Sequence, residues 1–361
     1  MAADTPRPFV VPLFIPHAGC PHHCIFCNQH AVTGRKREGA PAMPSLVAME
    51  GEIERWLGWA ANRHPVEISF YGGTFLGLPS ETVRACLDLA HGYVKAGRIQ
   101  GIRFSTRPDT VTPETLALLA GYPVTTVELG AQSMEDAVLT ASTRGHTAAD
   151  TERATAQLKA KGYVTILQMM VGLPGETPAL FRSSLQRILD LDPEGIRIYP
   201  TVVLKGSGLA ALWRDGRYEP LALEEAVARS KEAWLMAARR DIPVIRMGLQ
   251  DSEEMRLTHV LAGPHHPAFG HLVHSARFRD MADALARRLF SPGDAPVFRV
   301  HPKSASRLRG NKNSTLESLK ARYGLAGIEV ALDDALAESS LAAGGWVVDS
   351  VRQCFAKDLE S

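Results

Sequence analysis

The sequence predicts an α/β protein, a partial (β/α)6 barrel with a small C-terminal α+β extension. Short apolar runs rich in branched and aromatic residues alternate about six times with longer amphipathic segments, which is typical of βα units around a parallel sheet. Each of the first five runs is followed by a polar or glycine-rich loop, and such loops converge at one face of a barrel, around one pocket. The predicted strands cover residues 10–14, 66–71, 101–105, 125–129, 165–170 and 195–199.

Amphipathic segments fill the intervals between these strands. A further helix is predicted from about residue 221 to residue 240, and beyond residue 241 the alternation fades. We therefore divide the chain into a barrel, residues 1–245, and a C-terminal extension, residues 246–361. The predicted helices of the barrel cover residues 46–60, 80–95, 113–119, 135–139, 147–161 and 178–190.

The composition is that of a globular protein. Of its residues, 45% are hydrophobic and 22% are charged. The length of 361 residues is enough for one large domain and a smaller one. The five cysteines do not resemble a disulfide framework, and a thiolate metal site suits a reducing compartment, so we expect a cytoplasmic location. The first residues lack the features of a signal peptide. No segment approaches the ~20 apolar residues of a membrane span, so no membrane partner is expected.

The loop after the first predicted strand carries three thiols within eight residues, Cys20, Cys24 and Cys27. This C-x3-C-x2-C spacing points soft sulfur ligands at one centre, and thiolates select zinc, copper(I) or iron–sulfur clusters. A four-iron cluster on three cysteines leaves one iron open to an exogenous ligand, and the count of three favours this interpretation. A structural zinc ion is the alternative, and it needs a fourth protein ligand. The histidines that could supply this ligand are His17, His22, His23 and His30.

Several further motifs follow the cysteine loop. Together with that loop they resemble the radical S-adenosylmethionine (SAM) superfamily, and within it the branch of the Elongator catalytic subunit and the oxygen-independent coproporphyrinogen oxidases. The resemblance covers roughly residues 10–250 and implies a TIM-type partial barrel of the radical SAM kind. The motifs are SFYGGTF at residues 69–75, VELGAQS at 127–133, RGHT at 144–147, VGLPG at 171–175 and YPTVV at 199–203.

The resemblance implies two cofactors, a 4Fe-4S cluster on the three cysteines and SAM at its open iron. Reductive cleavage of SAM would give methionine and a 5'-deoxyadenosyl radical, and this chemistry belongs to the cofactor while the protein orients it. A reducing electron donor of the flavodoxin or ferredoxin type is therefore implied as a partner.

The resemblance also assigns contacts to SAM. Phe26 would pack near the adenine, Gln132 would hydrogen-bond the ribose, and Arg144 would pair with the methionine carboxylate. From the residues alone, Phe26 is equally well an ordinary core aromatic, and a lone arginine is more often a solvated surface charge. Gly72 and Gly73 would let backbone carbonyls approach the ammonium group, and Thr74 is a further expected cofactor contact in the same loop.

The chain also departs from the family pattern. Ser105 stands where many relatives carry a glutamate, and Gln168 stands where the coproporphyrinogen oxidases carry an aspartate toward the ribose. Both are retained as expected SAM contacts. We find no acetyl-CoA pyrophosphate loop after residue 250, so the resemblance does not extend to an acetyltransferase domain.

A basic segment, residues 297–323, is the clearest indication of the substrate. It holds seven lysines and arginines against Glu317 alone. We expect Arg307, Arg309 and Lys312 to contact nucleic-acid phosphates just before a helix. This helix is predicted to open with a capping box from Ser314 to Glu317 and to stop at Gly324. The alternative is a solvated basic face without a ligand.

The resemblance and the basic segment together favour a radical SAM enzyme that acts on RNA, with tRNA as the expected substrate. Two alternatives stay open, a radical SAM enzyme acting on a small metabolite and a non-catalytic carrier of a cofactor such as haem. The histidines near Gly263 are interpreted as loop residues, and a substrate entrance or a second metal is the alternative. They are His265, His266, His271 and His274.

Overall fold

The computed structural model describes residues 8–15, 17–28, 43–60, 63–249, 259–351 and 355–357. These residues fall into two compact units. The first unit lies within residues 1–221 and 250–264, and the second lies within residues 222–249 and 265–361. The boundary that we predict near residue 245 falls inside the first segment of the second unit.

Six parallel strands form the sheet of the first unit. They pair in chain order, and every neighbouring pair is parallel, which requires a crossover between successive strands. The predicted partial (β/α)6 barrel is therefore confirmed, and each strand ends within about three residues of its predicted position. The strands are β1 (Phe9–Phe14), β2 (Val66–Tyr71), β3 (Gly101–Thr106), β4 (Val124–Gln132), β5 (Val164–Val171) and β6 (Gly195–Pro200).

Side-chain caps explain where most helices of this unit begin. The hydroxyls of Ser45, Thr112, Thr147, Thr177 and Ser207 each accept a hydrogen bond from a backbone N–H in the first turn of the helix that follows. The helices are α1 (Leu46–Trp59), α2 (Ser80–Lys95), α3 (Pro113–Leu119), α4 (Asp136–Ala141), α5 (Ala148–Ala160), α6 (Pro178–Asp190) and α7 (Gly208–Arg214). A two-stranded antiparallel pair, β7 (Val203–Leu204) and β9 (Val260–Ala262), completes the unit.

Alternation along the strands gives the sheet two chemically different faces. Phe104, Val127 and Leu167 have no exposed surface and belong to the apolar core. Several intervening positions are polar, and Arg103 and Glu128 among them are also buried. The interior of the barrel therefore holds charged side chains.

The second unit pairs helices with a five-stranded sheet of order β11-β10-β12-β13-β14. Strands β10 and β11 are parallel and the other pairs are antiparallel. Its helices are α8 (Leu223–Ala238), α9 (Phe269–Leu289), α10 (Ala305–Arg309) and α11 (Ser314–Tyr323). Its strands are β8 (Val244–Met247), β10 (Val297–Val300), β11 (Glu329–Leu332), β12 (Ser340–Ala343), β13 (Trp346–Asp349) and β14 (Phe355–Lys357).

Helix α11 corrects one expectation and confirms another. Ser314 is the first residue inside the helix, and its N-cap is Asn313, whose side chain makes no capping hydrogen bond. The predicted capping box from Ser314 to Glu317 is therefore wrong. Gly324 ends the helix in the left-handed conformation, with φ of 64°, as its lack of a Cβ allows.

Helix α9 has 21 residues, a length that could span a membrane if the helix were apolar. Charged residues interrupt it throughout, and within the described ranges no helix combines the length and the apolar character needed to cross a bilayer. His271 and His274 belong to α9, so our interpretation of these two as loop histidines is wrong.

Candidate active site

The cysteine loop is held against the end of β2. The backbone N–H of His17 donates to Gly72 O at 2.9 Å, and that of Thr74 donates to Ala18 O at 2.8 Å. A Cβ on Gly73 would lie 2.4 Å from Ala18 O, so only glycine permits this packing. The bare face of Gly73 is thus turned toward the cysteine loop, and its contact with the ammonium group of SAM stays a prediction.

The sulfurs of Cys20 and Cys24 lie beside polar side chains. Cys20 Sγ lies 3.2 Å from Thr74 Oγ1, and Cys24 Sγ accepts a hydrogen bond of 3.0 Å from Arg144. Cys27 follows Cys24 in a tight turn, with its N–H 2.9 Å from Cys24 O. All three thiols are half-buried and outside any disulfide. Soft donors with polar groups directed at their sulfurs fit an iron–sulfur cluster, whose cysteines bind separate irons.

The zinc alternative requires four ligands around one ion. Across residues 8–15, 17–28, 43–60, 63–249, 259–351 and 355–357, no three His, Cys, Asp or Glu side chains are placed to hold a single metal ion. The rings of His17 and His23 lie 5.9 Å apart, and the ring of His22 lies against the backbone of Gly145. His30 lies outside the described residues.

Arg144 links the cysteine loop to the end of β4. Its side chain donates from Nη1 to Cys24 and from Nη2 to Gly130 O at 2.5 Å, while Nε is buried without a partner. Arg144 is only 6% exposed, so the alternative of a solvated surface charge is wrong. A buried guanidinium with an unused N–H can take one more acceptor, which fits a cofactor carboxylate.

Gln132 ends β4 in an unusual conformation. Its φ is 66°, and the pairing of β4 with β5 shifts register just before it. Its Oε1 atom is buried without a hydrogen-bond donor. A Cβ on Gly130 would lie 2.9 Å from Gln132 Nε2, so this glycine leaves space for the amide. An orphaned acceptor on strained backbone is typical of a binding site, and a ribose hydroxyl would satisfy it.

A cluster of hydrogen-bonded side chains fills the barrel interior beside this site. At its centre is Glu128, which has no exposed surface. Its Oε1 accepts hydrogen bonds from Arg103 at 3.0 Å and Arg197 at 2.8 Å, and from Tyr71 Oη at 3.1 Å. Its Oε2 accepts from Gln168 Nε2 at 2.9 Å. We call Tyr71, Arg103, Glu128, Gln168 and Arg197 the lumen cluster.

Two guanidinium groups of the lumen cluster share one carboxylate, and a second carboxylate outside the cluster completes the balance of charge. Burial opposes the charge of Arg197, but the Glu128 carboxylate outweighs it and raises the pKa of the guanidinium. Burial and the same carboxylate raise the pKa of Tyr71 to about 12, so its hydroxyl keeps its proton at neutral pH. Arg103 makes a second ion pair of 3.0 Å with Glu67.

Ser105 and Gln168, both predicted to contact SAM, lie at the lumen cluster. Gln168 donates to Glu128 and lies 3.3 Å from Ser105 Oγ. Ser105 pairs in register with Glu128 on the neighbouring strand, so a carboxylate lies beside the position where relatives carry a glutamate. Our sequence reasoning missed Glu128, Arg103 and Arg197, although each is a lone charge inside an apolar strand, and this pattern could have identified them.

Phe26 lies between two apolar clusters of the first unit. It packs against Val138, Met170 and Leu173, and against the start of α7, where the N–H of Leu209 donates to Ile25 O at 2.7 Å. The ring therefore has the neighbours of a core aromatic, and its contact with adenine stays a prediction.

The basic segment is less positive in space than in sequence. Most of its cations pair with acidic residues, and three of these acids lie outside residues 297–323. Among the described residues, Arg309 and Lys312 are in no ion pair. Their contact with RNA stays a prediction. The pairs are Arg299 with Asp333, Lys303 with Glu338, Lys320 with Glu317 and Arg322 with Asp283, at 2.6–3.0 Å, while Arg307 lies 3.9 Å from Glu338.

Comparison with known proteins gives consistent matches. A tRNA uridine(34) acetyltransferase of Dehalococcoides mccartyi is 28% identical over 290 residues, which cover 68% of this chain and 62% of the relative. Protein YhcC of Escherichia coli is 30% identical over 207 residues, 56% of this chain and 63% of the relative. The chain thus spans less than two thirds of the length of these relatives.

A solved structure shares the fold. The archaeal Elp3 of Methanocaldococcus infernus, with an N-terminal deletion, superposes with a TM-score of 0.59 at 20% identity, covering 79% of this chain and 68% of that one. The radical SAM superfamily profile matches residues 14–188, which include the cysteine loop and Arg144, and the radical SAM C-terminal domain profile matches residues 193–278. The chain belongs to the radical SAM superfamily.

Proposed function

We propose that this protein binds a 4Fe-4S cluster and SAM, cleaves SAM reductively and uses the product to modify RNA, with tRNA as the substrate. The observation that carries the proposal is the contact between Cys24 of the cysteine loop and the buried Arg144. When bound, the cluster supplies the electron that cleaves SAM to methionine and a 5'-deoxyadenosyl radical.

The chain contributes ligands and orientation. Cys20, Cys24 and Cys27 would hold three irons as thiolates. Arg144 donates a hydrogen bond from Nη1 to Cys24 Sγ, and its buried Nε has no partner. One guanidinium would therefore contact both a cluster ligand and the SAM carboxylate. The orphaned Oε1 of Gln132 would accept from the ribose. These groups lie at the ends of β1 and β4, on the face where barrel enzymes bind their substrates.

The lumen cluster would form the base of this pocket. Glu128 and the neighbouring Glu67 compensate its two positive charges, so it stays ordered without a ligand. Hydrogen bonds to Glu128 orient the side chains of Tyr71 and Gln168. Side chains with fixed orientations discriminate among substrate orientations more strongly than mobile side chains do.

Two observations support RNA as the substrate. Curated relatives of the chain include tRNA uridine(34) acetyltransferases. Arg309 and Lys312 are exposed cations and, among the described residues, are in no ion pair, which suits phosphate contacts. A flavodoxin or ferredoxin would deliver the electron.

Anaerobic reconstitution and low-temperature electron paramagnetic resonance test the radical SAM activity. We expect a cubane signal in the reduced protein that shifts when SAM is added. Cys24→Ala should lose the iron chromophore. Cys86→Ala is the matched control, because Cys86 is a buried free thiol on α2 whose pKa burial raises to about 11.

The same preparation separates the alternatives. Formation of 5'-deoxyadenosine from SAM would support an enzyme. A protein that contains zinc, gives no cubane signal and leaves SAM intact would contradict the proposal. Iron retained in Cys24→Ala would refute the assignment of the ligands.

A further inference from the structure

The second unit buries an arginine that has no acidic partner in the part of the chain that the structure describes. Arg277, on α9, is 3% exposed, and no carboxylate among the described residues lies within ion-pair distance of it. Its guanidinium carbon stands 3.3 Å from the ring centre of Trp234. It donates from Nη1 to His274 Nδ1 at 2.8 Å and from Nη2 to Ser350 Oγ at 2.6 Å, while Nε is buried without a partner.

A second arginine adds positive charge at the same place. Burial and the charge of Arg307, on α10, lower the pKa of Arg277 to about 9. Burial, Arg277 and Arg307 lower the pKa of His274 to about 3, and burial and Arg307 lower the pKa of His271. The charge of Asp349 acts in the opposite direction on Arg277 but does not outweigh these effects. Two guanidinium groups thus act on one position, and Glu338, 3.9 Å from Arg307, offsets part of their charge.

The polar groups around this position lie on two helices, with His271, His274 and Arg277 on α9 and Arg307 on α10. Arg277 is buried, whereas His271 and Arg307 are partly exposed. Arg307 donates to Ser304 Oγ at 3.1 Å, and His271 Nε2 lies 3.3 Å from Ser275 Oγ. We call Arg277, Arg307, His271 and His274 the anion pocket.

An unpaired guanidinium in a protein interior is unfavourable, because burial removes its hydration and nothing replaces the lost interaction. A bound anion would offset this cost and would satisfy Nε. Guanidinium groups bind phosphate oxygens in planar, charge-assisted geometry, and a tetrahedral phosphate has enough acceptors for two arginines and neighbouring hydroxyls.

We propose that the anion pocket binds a phosphate group. The site is separate from the cysteine loop in the chain and does not depend on SAM cleavage. The phosphate belongs either to the backbone of an RNA or to a small phosphorylated compound.

The experiment is a titration of the full-length protein with inorganic phosphate, followed by tryptophan fluorescence and calorimetry, with sodium chloride at equal ionic strength as the reference. We expect a saturable fluorescence change that disappears in Trp234→Phe, because Arg277 stacks on that ring. Arg307→Gln should weaken phosphate binding about tenfold, the effect of losing one charge-assisted hydrogen bond.

Arg288→Gln is the matched control, since Arg288 also lies over an indole, that of Trp346 at 4.7 Å, but is exposed and outside the anion pocket. The affinity of Arg288→Gln for inorganic phosphate should equal that of the wild type. Arg307 is partly exposed, so its substitution leaves the buried side chains around Arg277 in place. The absence of saturable binding beyond the chloride reference, or equal affinities of Arg307→Gln and wild type, would overturn the proposal.

Competition identifies the source of the phosphate. Displacement of inorganic phosphate by a short single-stranded RNA, lost in Arg307→Gln, would support an RNA backbone. Saturable phosphate binding that RNA does not displace would support a small phosphorylated compound. Either outcome is separate from the electron paramagnetic resonance test, so the two proposals can fail independently.

Discussion

The buried arginines of two clusters differ in their counter-charge, since Arg197 has the Glu128 carboxylate whereas Arg277 has no carboxylate partner among the described residues. In the lumen cluster, Arg103 and Arg197 converge on Glu128, which raises the pKa of Arg197 despite burial. In the anion pocket, burial and Arg307 lower the pKa of Arg277 to about 9. The same side chain is thus part of a self-contained network in one unit and an unsatisfied cation in the other. The first arrangement maintains a pocket, and the second requires a ligand.

The largest expected effect comes from removing the shared carboxylate. Glu128→Gln leaves Arg197 without a counter-charge and Arg103 with Glu67 alone. We expect the free energy of unfolding in urea to fall by about 3–5 kcal/mol. Glu219→Gln, at an exposed position of the same unit, should change it by less than about 0.5 kcal/mol. Equal effects of the two changes would show that the lumen cluster does not stabilise the fold.

The same substitution in both clusters compares them directly. Arg197→Met breaks a pair with Glu128 and should cost about 3 kcal/mol, near the lower limit because Arg103 still faces the carboxylate. Arg277→Met removes an unpaired charge and keeps apolar contact with Trp234, so stability should change by less than about 1 kcal/mol. Equal losses in urea unfolding would remove the distinction between the clusters.

The two clusters should also differ in acid. His274, in the anion pocket, has its pKa lowered by burial and by Arg277 and Arg307 from 6.5 to about 3. The unfolded chain therefore binds a proton at higher pH than the folded protein, and stability is lost as the pH falls from 6.5 toward 3. His274→Asn keeps an acceptor for Arg277 and cannot titrate, so it should reduce the pH slope of stability by up to about 1.4 kcal/mol per pH unit.

The measurement is the free energy of unfolding of wild type and His274→Asn between pH 4 and pH 7, a range that covers most of this window. His91→Asn, at a partly exposed position of the first unit, serves as the control. Parallel pH profiles for wild type and His274→Asn would contradict the burial of a neutral imidazole.

The smallest effect is expected at the exposed cations that adjoin the anion pocket. Arg309 shares α10 with Arg307, and Lys312 follows two residues after the helix C-cap. Each neutralising change, Arg309→Gln or Lys312→Gln, should lower tRNA affinity a few-fold and reduce the slope of log affinity against log salt by about 1. Arg279→Gln, exposed in the same unit outside the basic segment, is the control. Equal losses in all three variants would show that binding does not depend on the segment.

Local patterns predicted the barrel well. The six strands and the helices between them follow from periodicity and turn residues, which depend on neighbours in the chain. The three cysteines were found in the same way, because they lie within one loop. The end of α11 at Gly324 was predicted from one residue type, whereas its start was not, since Ser314 and Asn313 are both plausible caps in sequence.

The partners of charged residues could not be predicted in this way. Glu128 binds side chains that are 25 to 69 residues away in the chain, and the strand registers decide which of them reach it. The basic segment has one acidic residue in sequence, yet Asp283, Asp333 and Glu338 neutralise several of its cations in space.

By itself, therefore, the sequence determined the order of strands and helices and the cysteine loop, because periodicity and close spacing act within a few residues along the chain. Only the tertiary structure decided which charges are balanced, with Arg197 paired to Glu128 and Arg277 left without a carboxylate. The physical reason is that ionic and hydrogen-bonding energies depend on distances of a few ångströms, which folding sets between residues far apart in sequence.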